Sequence, residues 1–292
     1  MSVAPDILTI DVEEWFHGHN YLQAAPPARW DEQESRVVAN TERCLDLLAA
    51  HAVRATFFVL GWVAERQPGL VRRIAAAGHE IGCHSYGHPE LHRLGREEFS
   101  ADLDRALAAL RAAGASDVAG YRAPSFTLTP AVHGYLEVLR ARGLRFDSSL
   151  FPIRHARYGQ PRSPRLPFRL AGPGDFVEVP MTTARVAGVN VPFSGGGYLR
   201  ILPLAAYRAL RRVARRQGAP CLIYFHPWEL DDWRPAAAGL APATRWRSQA
   251  GQLSMPRKLA SLIGSGDFCT LGEYVAARLA SGDLPTRALP MA

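Results

Sequence analysis

Residues 55–84 read ATFFVLGWVAERQPGLVRRIAAAGHEIGCH, and this stretch decides the fold class. ATFFVLG at 55–61 is β-branched and aromatic, closed by a glycine, and predicts a buried strand. The pattern over roughly 68–77 predicts a helix, with Gly78 as its C-cap. HEIGCH at 79–84 predicts a second strand. A strand, a helix and a strand in so short a span point to parallel pairing, and the alternation continues on both sides.

Upstream, ILTID at 7–11 is an apolar run that ends in a carboxylate. SRVVANTERCLDLLAAH at 35–51 has helical periodicity, with Leu45, Leu47 and Leu48 on its apolar side. Downstream, FSADLDRALAALRAAG at 99–114 is an amphipathic helix, followed by a short strand to Gly120 and Tyr121. PAVHGYLEVLRARG at 130–143 reads as a helix and LRFDSS as a strand. Residues 152–174 are rich in Pro, Arg and Gly and predict an extended surface loop. FVEVP at 176–180 is a strand, and PLAAYRALRRVARRQG at 203–218 is a helix with Pro203 in its first turn. PCLIYFH at 220–226 is an apolar strand ending in histidine, and a helix, a strand (DFCTL) and a helix close the chain. No internal repeat and no composition shift marks a boundary. The expectation is a single catalytic domain over 1–292, with 230–292 as a C-terminal extension packed on it. Its fold class is α/β, with a parallel sheet either doubly wound or closed into a barrel.

The chain has 292 residues, 48% of them hydrophobic and 21% charged, which places it among ordinary globular proteins. No apolar run approaches the roughly 20 residues needed to span a bilayer. MSVAPDILTI lacks a basic n-region and a signal-type apolar core, so the N-terminus reads as mature sequence and the expected location is cytoplasmic. The formal charge is +7, and every basic residue except Lys258 is arginine. These arginines are spread along helices, as in RRVARR at 211–216, and are not interleaved with aromatics. That favours a solvated helix face over nucleic-acid binding. A basic surface is compatible with peripheral membrane association without establishing it. Cys44, Cys83, Cys221 and Cys269 form no C-x-x-C pair and lie in apolar stretches, as buried thiols do.

Polar residues recur at the C-terminal ends of strands, namely Asp11, His84, Asp147 and His226, where α/β folds keep their active sites. In TIDVEEWFH at 9–17, strand alternation points Asp11 and Glu13 the same way and Glu14 the other. Two adjacent carboxylates suit a metal ligand beside a general base. In HSYGH at 84–88 two histidines stand four apart. If the chain turns helical after the strand, both imidazoles reach one cation at the ~2.0–2.1 Å typical of zinc. With a carboxylate they form a two-histidine, one-carboxylate site that suits zinc, with iron or cobalt as alternatives. His79 and His92 read as structural or exposed, and Cys83 faces the other way. In YRAPSF at 121–126, Arg122 offers a permanent cation to orient a carboxylate. FDSS at 146–149 and YFHPWE at 224–229 bring Asp147 and His226 to the same end of the sheet. An imidazole there, paired with a carboxylate such as Asp147, is the general acid that a leaving amine needs.

Taken in order, these five clusters resemble the polysaccharide deacetylase family, which includes chitin, peptidoglycan and nodulation-factor deacetylases. The resemblance runs from about residue 7 to about 230. It implies a distorted, incomplete (β/α) barrel and a metal-dependent hydrolase that removes N-acetyl groups from a polysaccharide or oligosaccharide. It also implies the roles. Asp11 matches the catalytic base, His84 and His88 the metal histidines, Arg122 the arginine that holds the base, and His226 the general acid tuned by Asp147. The first motif departs from the family's pair of adjacent aspartates. It reads Asp-Val-Glu-Glu, so the carboxylate ligand is Glu13 by alternation, with Glu14 in reserve. The implied metal is divalent, zinc foremost. FSGGGYLRILP at 193–203, together with HPWE, looks like the branch associated with bacterial exopolysaccharide loci. The three glycines there suit either close approach of a sugar or a flexible turn. Trp15, Tyr86, Trp228 and Trp233 are candidates for stacking on sugars, and the 123–127 turn for donating an N–H to an oxyanion. The rival readings are an amidase or deformylase acting on a small-molecule or lipid-linked amino sugar, and a non-catalytic glycan-binding domain. A glycosidase would leave the two histidines unexplained.

Overall fold

The structure is a computed structural model that describes residues 5–155, 157–233 and 242–290. Its strands are β1 (Asp6–Val12), β2 (Thr56–Val59), β3 (Glu80–Cys83), β4 (Val118–Tyr121), β5 (Phe146–Asp147), β6 (Phe168–Leu170), β7 (Val177–Glu178), β8 (Thr183–Val186), β9 (Val189–Pro192), β10 (Leu222–Phe225), β11 (Phe268–Cys269) and β12 (Thr286–Arg287). The first five helices are α1 (Val37–Ala50), α2 (Gly61–Arg66), α3 (Pro68–Ala76), α4 (Arg96–Ala112) and α5 (Tyr135–Ala141). The others are α6 (Gly196–Ile201), α7 (Leu204–Arg216), α8 (Pro242–Gln249), α9 (Met255–Ile263) and α10 (Leu271–Ser281).

The main sheet runs β10-β1-β2-β3-β4-β5-β7-β6-β12, with β11 beside the start of β1. Its pairs are parallel except β6–β7. Among the described residues the order ends at β10 on one side and β12 on the other, so the expected barrel is incomplete. Strand β11 from the C-terminal segment lies against β1 and β12 against β6, so residues beyond 230 add strands to the sheet itself.

Alternation explains where the site sits. Leu8, Ile10 and Val12 of β1, with Phe57, Val59, Ile81 and Cys83 of its neighbours, join the helices in one buried cluster. Ile7, with Phe58, Ala119, Phe146, Val177 and Leu222, forms a second cluster on the other face. Thr9 and Asp11 share the face of Ile7, so the inner face changes from apolar to ionisable at the C-terminal end of β1. Helix α4 shows how the outer layer is made: Phe99, Leu103, Ala106, Leu107 and Leu110 are its buried stripe. The Glu98 carboxylate accepts from Gly95 N–H at its start. Gly78, expected as the cap after α3, has φ 79°.

Several expectations are corrected. The 130–143 helix is shorter: a 3-10 turn at Pro130–Val132 precedes α5. The 152–174 loop is more than surface, since Ile153 is buried and Phe168–Leu170 becomes strand β6. Cys269 is only half-buried, whereas the other three thiols are buried. None of the described helices is long and apolar enough to cross a membrane.

Candidate active site

Asp11 is 2% exposed and faces Arg122, which follows β4 and is wholly buried. Arg122 Nη1 donates to Asp11 Oδ1 at 2.7 Å and to Thr9 Oγ1 at 2.8 Å. Its Nε donates to the Ser148 carbonyl at 3.1 Å and Nη2 to Ser148 Oγ at 3.1 Å. The guanidinium carbon lies 4.3 Å from the centre of the Phe58 ring. A planar fork bonded on three sides and stacked on the fourth fixes one rotamer for the aspartate beside it.

Glu13, His84 and His88 present one donor atom each, all within 4.8 Å of one another. The histidines meet by a different route from the expected helical turn. Residues 84–88 form a bend in which Ser85 and His88 have φ of 69° and 56°. The proline at 89 disfavours helix at His88 and accounts for this. His84 Nδ1 donates to the Arg122 carbonyl at 2.8 Å, which leaves the Nε2 lone pair free for a ligand. His88 Nε2 lies 3.0 Å from Glu13 Oε2. Burial raises the Glu13 carboxyl, but His88, His226 and His84 outweigh it and hold the group well below the usual carboxylate range. Burial pushes His84 down to about 4, so it is a neutral imidazole. A carboxylate oxygen and two imidazole nitrogens that converge on one point are what a divalent cation of borderline softness requires. Glu14 turns away, accepting from Ser35 Oγ and, at 2.9 Å, from Arg36 N–H.

His226 ends β10 and caps the 3-10 turn Pro227–Leu230. Its Nε2 lies 3.5 Å from Glu13 Oε1 and its Nδ1 3.3 Å from Glu229 Oε2. Burial opposes the charged ring, yet Glu13 and then Glu229 raise it to about 9. Glu229 in turn accepts from Arg200 Nε at 2.7 Å. The expected pairing of Asp147 with His226 is therefore corrected. Asp147 accepts from Ser149 Oγ at 2.6 Å and lies in register beside Glu178, so the carboxylate that orients His226 is Glu229. Two of the three glycines of FSGGGY also gain a reason. A Cβ on Gly196 would collide with the Glu229 carboxylate, and one on Gly195 would meet the Tyr224 ring at 2.7 Å. Bare backbone at 196 makes room for the residue that holds His226, and at 195 for the Tyr224 ring.

Residues 29–146 match the family model described as polysaccharide deacetylase. Over that segment the chain is similar to the polysaccharide deacetylases. Residues 148–276 of the same chain match a domain of unknown function, DUF3473. The deacetylase segment contains His84, His88 and Arg122, the second match supplies His226 and Glu229, and Asp11 and Glu13 precede both. A peptidoglycan-N-acetylglucosamine deacetylase from Bacillus cereus is 41% identical over 90 residues, 31% of this chain and 30% of the relative. A chitooligosaccharide deacetylase from Sinorhizobium fredii is 44% identical over 73 residues, 25% of this chain and 34% of the relative. The chain thus spans about a third of the length of these curated relatives. A solved structure from Mycobacterium smegmatis, assigned to the polysaccharide deacetylases, aligns over 99% of this chain and 96% of its own. It has a TM-score of 0.65 and 21% identity, a likeness of fold.

One cavity of about 240 Å³ is lined by Asp11, Glu13, His84, His88 and His226 among others. Ser125 lines it too, with φ 50°, beside Phe126 with φ 56°. With Ser85 and His88, these are four of the six non-glycine residues of positive φ among the described residues, and such strain is characteristic of built sites. Within 123–127, Ala123 N–H is bonded to Ser149 Oγ, Phe126 and Thr127 N–H close the turn, and Pro124 has none. Among the described residues the Ser125 N–H is left without a protein acceptor. Of the aromatic candidates, Trp228 lines the cavity and stacks on His226 at 4.9 Å. Trp15 and Trp233 pack together in an adjoining cleft. Tyr86 is committed elsewhere, its hydroxyl donating to Glu65 and its ring covered by Arg105.

Glu229, Arg200 and Ser125 lie within the sequence motifs, but their roles emerge only in the folded chain. The signal for Glu229 is its place three residues after a strand-end histidine, where a 3-10 turn folds it back. A further acid supports this wall from outside. Asp231, 3% exposed, accepts from Arg36 at 2.8 Å and from Arg43 at 2.7 Å. Burial raises its carboxyl, but these hydrogen bonds outweigh it and hold the group well below its ordinary 3.8. A depressed folded value stabilises the fold above pH 3.8 and is lost as pH falls through the folded value. Asp231→Asn is therefore expected to lower the melting temperature at pH 7, with the gap to wild type shrinking below pH 4. A gap unchanged from pH 7 to pH 2 in a thermal-melt series would contradict this.

Proposed function

We propose that the chain is a metal-dependent N-deacetylase that removes acetyl groups from N-acetylhexosamine residues of a bacterial polysaccharide, an exopolysaccharide foremost. One observation carries this reading. An arginine-held aspartate, a carboxylate–histidine–histidine cluster and a glutamate-held histidine face one cavity. Those are the parts that amide hydrolysis needs, namely a base, a cation site and an acid. The match of residues 29–146 to the polysaccharide deacetylase model supports the reaction class, and the named substrates of the relatives support the polymer.

Glu13, His84 and His88 would hold the cation, and the mixed nitrogen and oxygen donors suit zinc. The ion would supply Lewis acidity toward the acetamide carbonyl and toward water. Asp11 engages Arg122 through Oδ1, which leaves Oδ2 to take a proton from the attacking water. Arg122 keeps that carboxylate aimed. The Ser125 N–H, on the cavity wall, would donate to the oxyanion that develops on the carbonyl. His226, held at Nδ1 by Glu229, gives its proton from Nε2 to the departing amine, and acetate leaves. Trp228 fixes the plane of that imidazole and offers a face to a sugar.

The direct test is acetate release from N-acetylglucosamine oligomers. Release is expected to fall to background after dialysis against a chelator and to return with zinc. His88→Ala is expected to lose stoichiometric zinc by elemental analysis together with activity. Full activity in chelated protein, or normal zinc content in His88→Ala, would reject the proposed centre.

A further inference from the structure

The loop between β5 and β6 puts Arg157 and Tyr158 into the wall of the cavity that holds Asp11, Glu13, His84 and His88. The turn that places them is fixed. Gly159 N–H donates to the His155 carbonyl at 3.1 Å and Gln160 N–H to the Phe151 carbonyl at 3.0 Å. A Cβ on Gly159 would run into the backbone of Ile153 and His155. The Gln160 side chain is anchored on His133 at 2.9 Å, and Tyr158 stacks on His155 at 3.8 Å.

Arg157 has a fixed backbone and an uncommitted head. Among the described residues its guanidinium makes no hydrogen bond to the protein, and its Nε is a buried donor without an acceptor. Its carboxylate neighbour is Glu90, whose Oε1 is 3.6 Å from Nε. That one carboxylate is already shared by Arg93 at 2.8 Å, His19 at 3.2 Å and His92 at 3.6 Å. Glu90 thus sets one carboxylate against the two guanidiniums of Arg93 and Arg157. His19 registers this: burial first, and then Arg157, hold its ring below the ordinary value. Arg200, in the same cavity, differs in being bonded to Glu229 and to the carbonyls of Ser248 and Ala250. A planar fork of donors on a rigid turn, facing a binding cavity without a full partner, is built to receive a planar oxyanion.

We propose that Arg157 forms a subsite for an oxyanion carried by the glycan, so that the preferred substrate is an acidic polysaccharide whose N-acetylhexosamine lies close to a carboxylate or phosphate. This rests on the deacetylase reading for its orientation, but its test does not depend on turnover. Binding is measured on zinc-loaded Asp11→Asn protein with Arg157 intact, with Arg157→Ala and with Arg157→Glu. The probes are a neutral N-acetylglucosamine tetramer, a tetramer alternating N-acetylglucosamine with glucuronate, and a neutral tetramer bearing one phosphomonoester. At low salt at least one anionic probe is expected to bind about ten-fold or more tightly than the neutral one. The ratio should approach one in Arg157→Ala, invert in Arg157→Glu, and narrow with added salt in the parent. Preference for the glucuronate probe alone identifies a carboxylate, and for the phosphorylated probe alone a phosphoryl group. Equal binding of all three probes, or a preference that survives both substitutions, would overturn the subsite. If Arg157→Ala fails to fold, Arg157→Gln, which removes the charge and keeps a polar side chain, takes its place with the same ratio near one expected. Acetate release by the wild type is read separately: its absence on every probe would count against the deacetylase reading, while the binding ratios would still decide for or against Arg157.

Discussion

Asp11→Asn is expected to reduce acetate release by about 10²–10⁴-fold, the range that a positioned general base contributes, with zinc content unchanged. Asparagine is isosteric and still offers an oxygen to Arg122 Nη1, so the 2.7 Å contact has a replacement. What disappears is the capacity to take a proton. Glu13 cannot substitute, because His88 and His226 both claim its oxygens. Paired measurements of turnover and metal content separate the roles. Lost turnover with full zinc makes Asp11 the base, whereas lost zinc would make it a ligand and require another base. Turnover at the wild-type level would remove Asp11 from the chemistry.

The largest expected effect on stability comes from Arg122→Met. Methionine leaves the Asp11 carboxylate, 2% exposed, without its counter-charge, and strips donors from Thr9 and Ser148 as well. Breaking a buried ion pair from one side costs about 3–5 kcal/mol. For a chain of this size that corresponds to a fall of roughly 10 °C in melting temperature. The sign of the coupling makes the prediction specific. Adding Asp11→Asn to Arg122→Met removes the uncompensated charge, so the double variant should melt above Arg122→Met alone. Additive losses in calorimetric scans would mean that the two residues do not interact as the 2.7 Å contact implies.

Much of the fold is legible in the sequence because strand and helix periods are long and clean. The 55–84 unit appears as β2, α3 and β3, with Gly78 where the cap is expected. The departures have physical causes. GWVAER becomes helix α2 directly after a strand, with no loop to announce it. Strands β5 and β7 are two residues each, set by their neighbours and not by local propensity. Just past the end of β1 the chain sends Glu13 toward His84 and His88 and Glu14 toward Ser35 and Arg36. The partner of His226 is not legible, because Asp147 and Glu229 both lie near strand ends and only strand order tells them apart. Asp147 belongs to β5, beside β7, and Glu229 follows β10, beside β1. The proline after His88 is a readable signal against a helical histidine pair.

Strand order has one more consequence, for how the chain is made. Strand β1 has β2 on one edge and β10 on the other, and Thr9 Oγ1 donates to the Ile223 carbonyl across 214 positions of sequence. At synthesis rates of about 5–20 residues per second, the first strand waits on the order of 10–40 s for the second of those neighbours. During that interval an apolar edge is open, and it can template pairing with other chains. Assembly governed by so distant a contact is intrinsically slow. A nascent chain halted before Leu222 would hold Asp11, His84 and His88 on an unsealed sheet, and so be a client for chaperones well before its cavity could close.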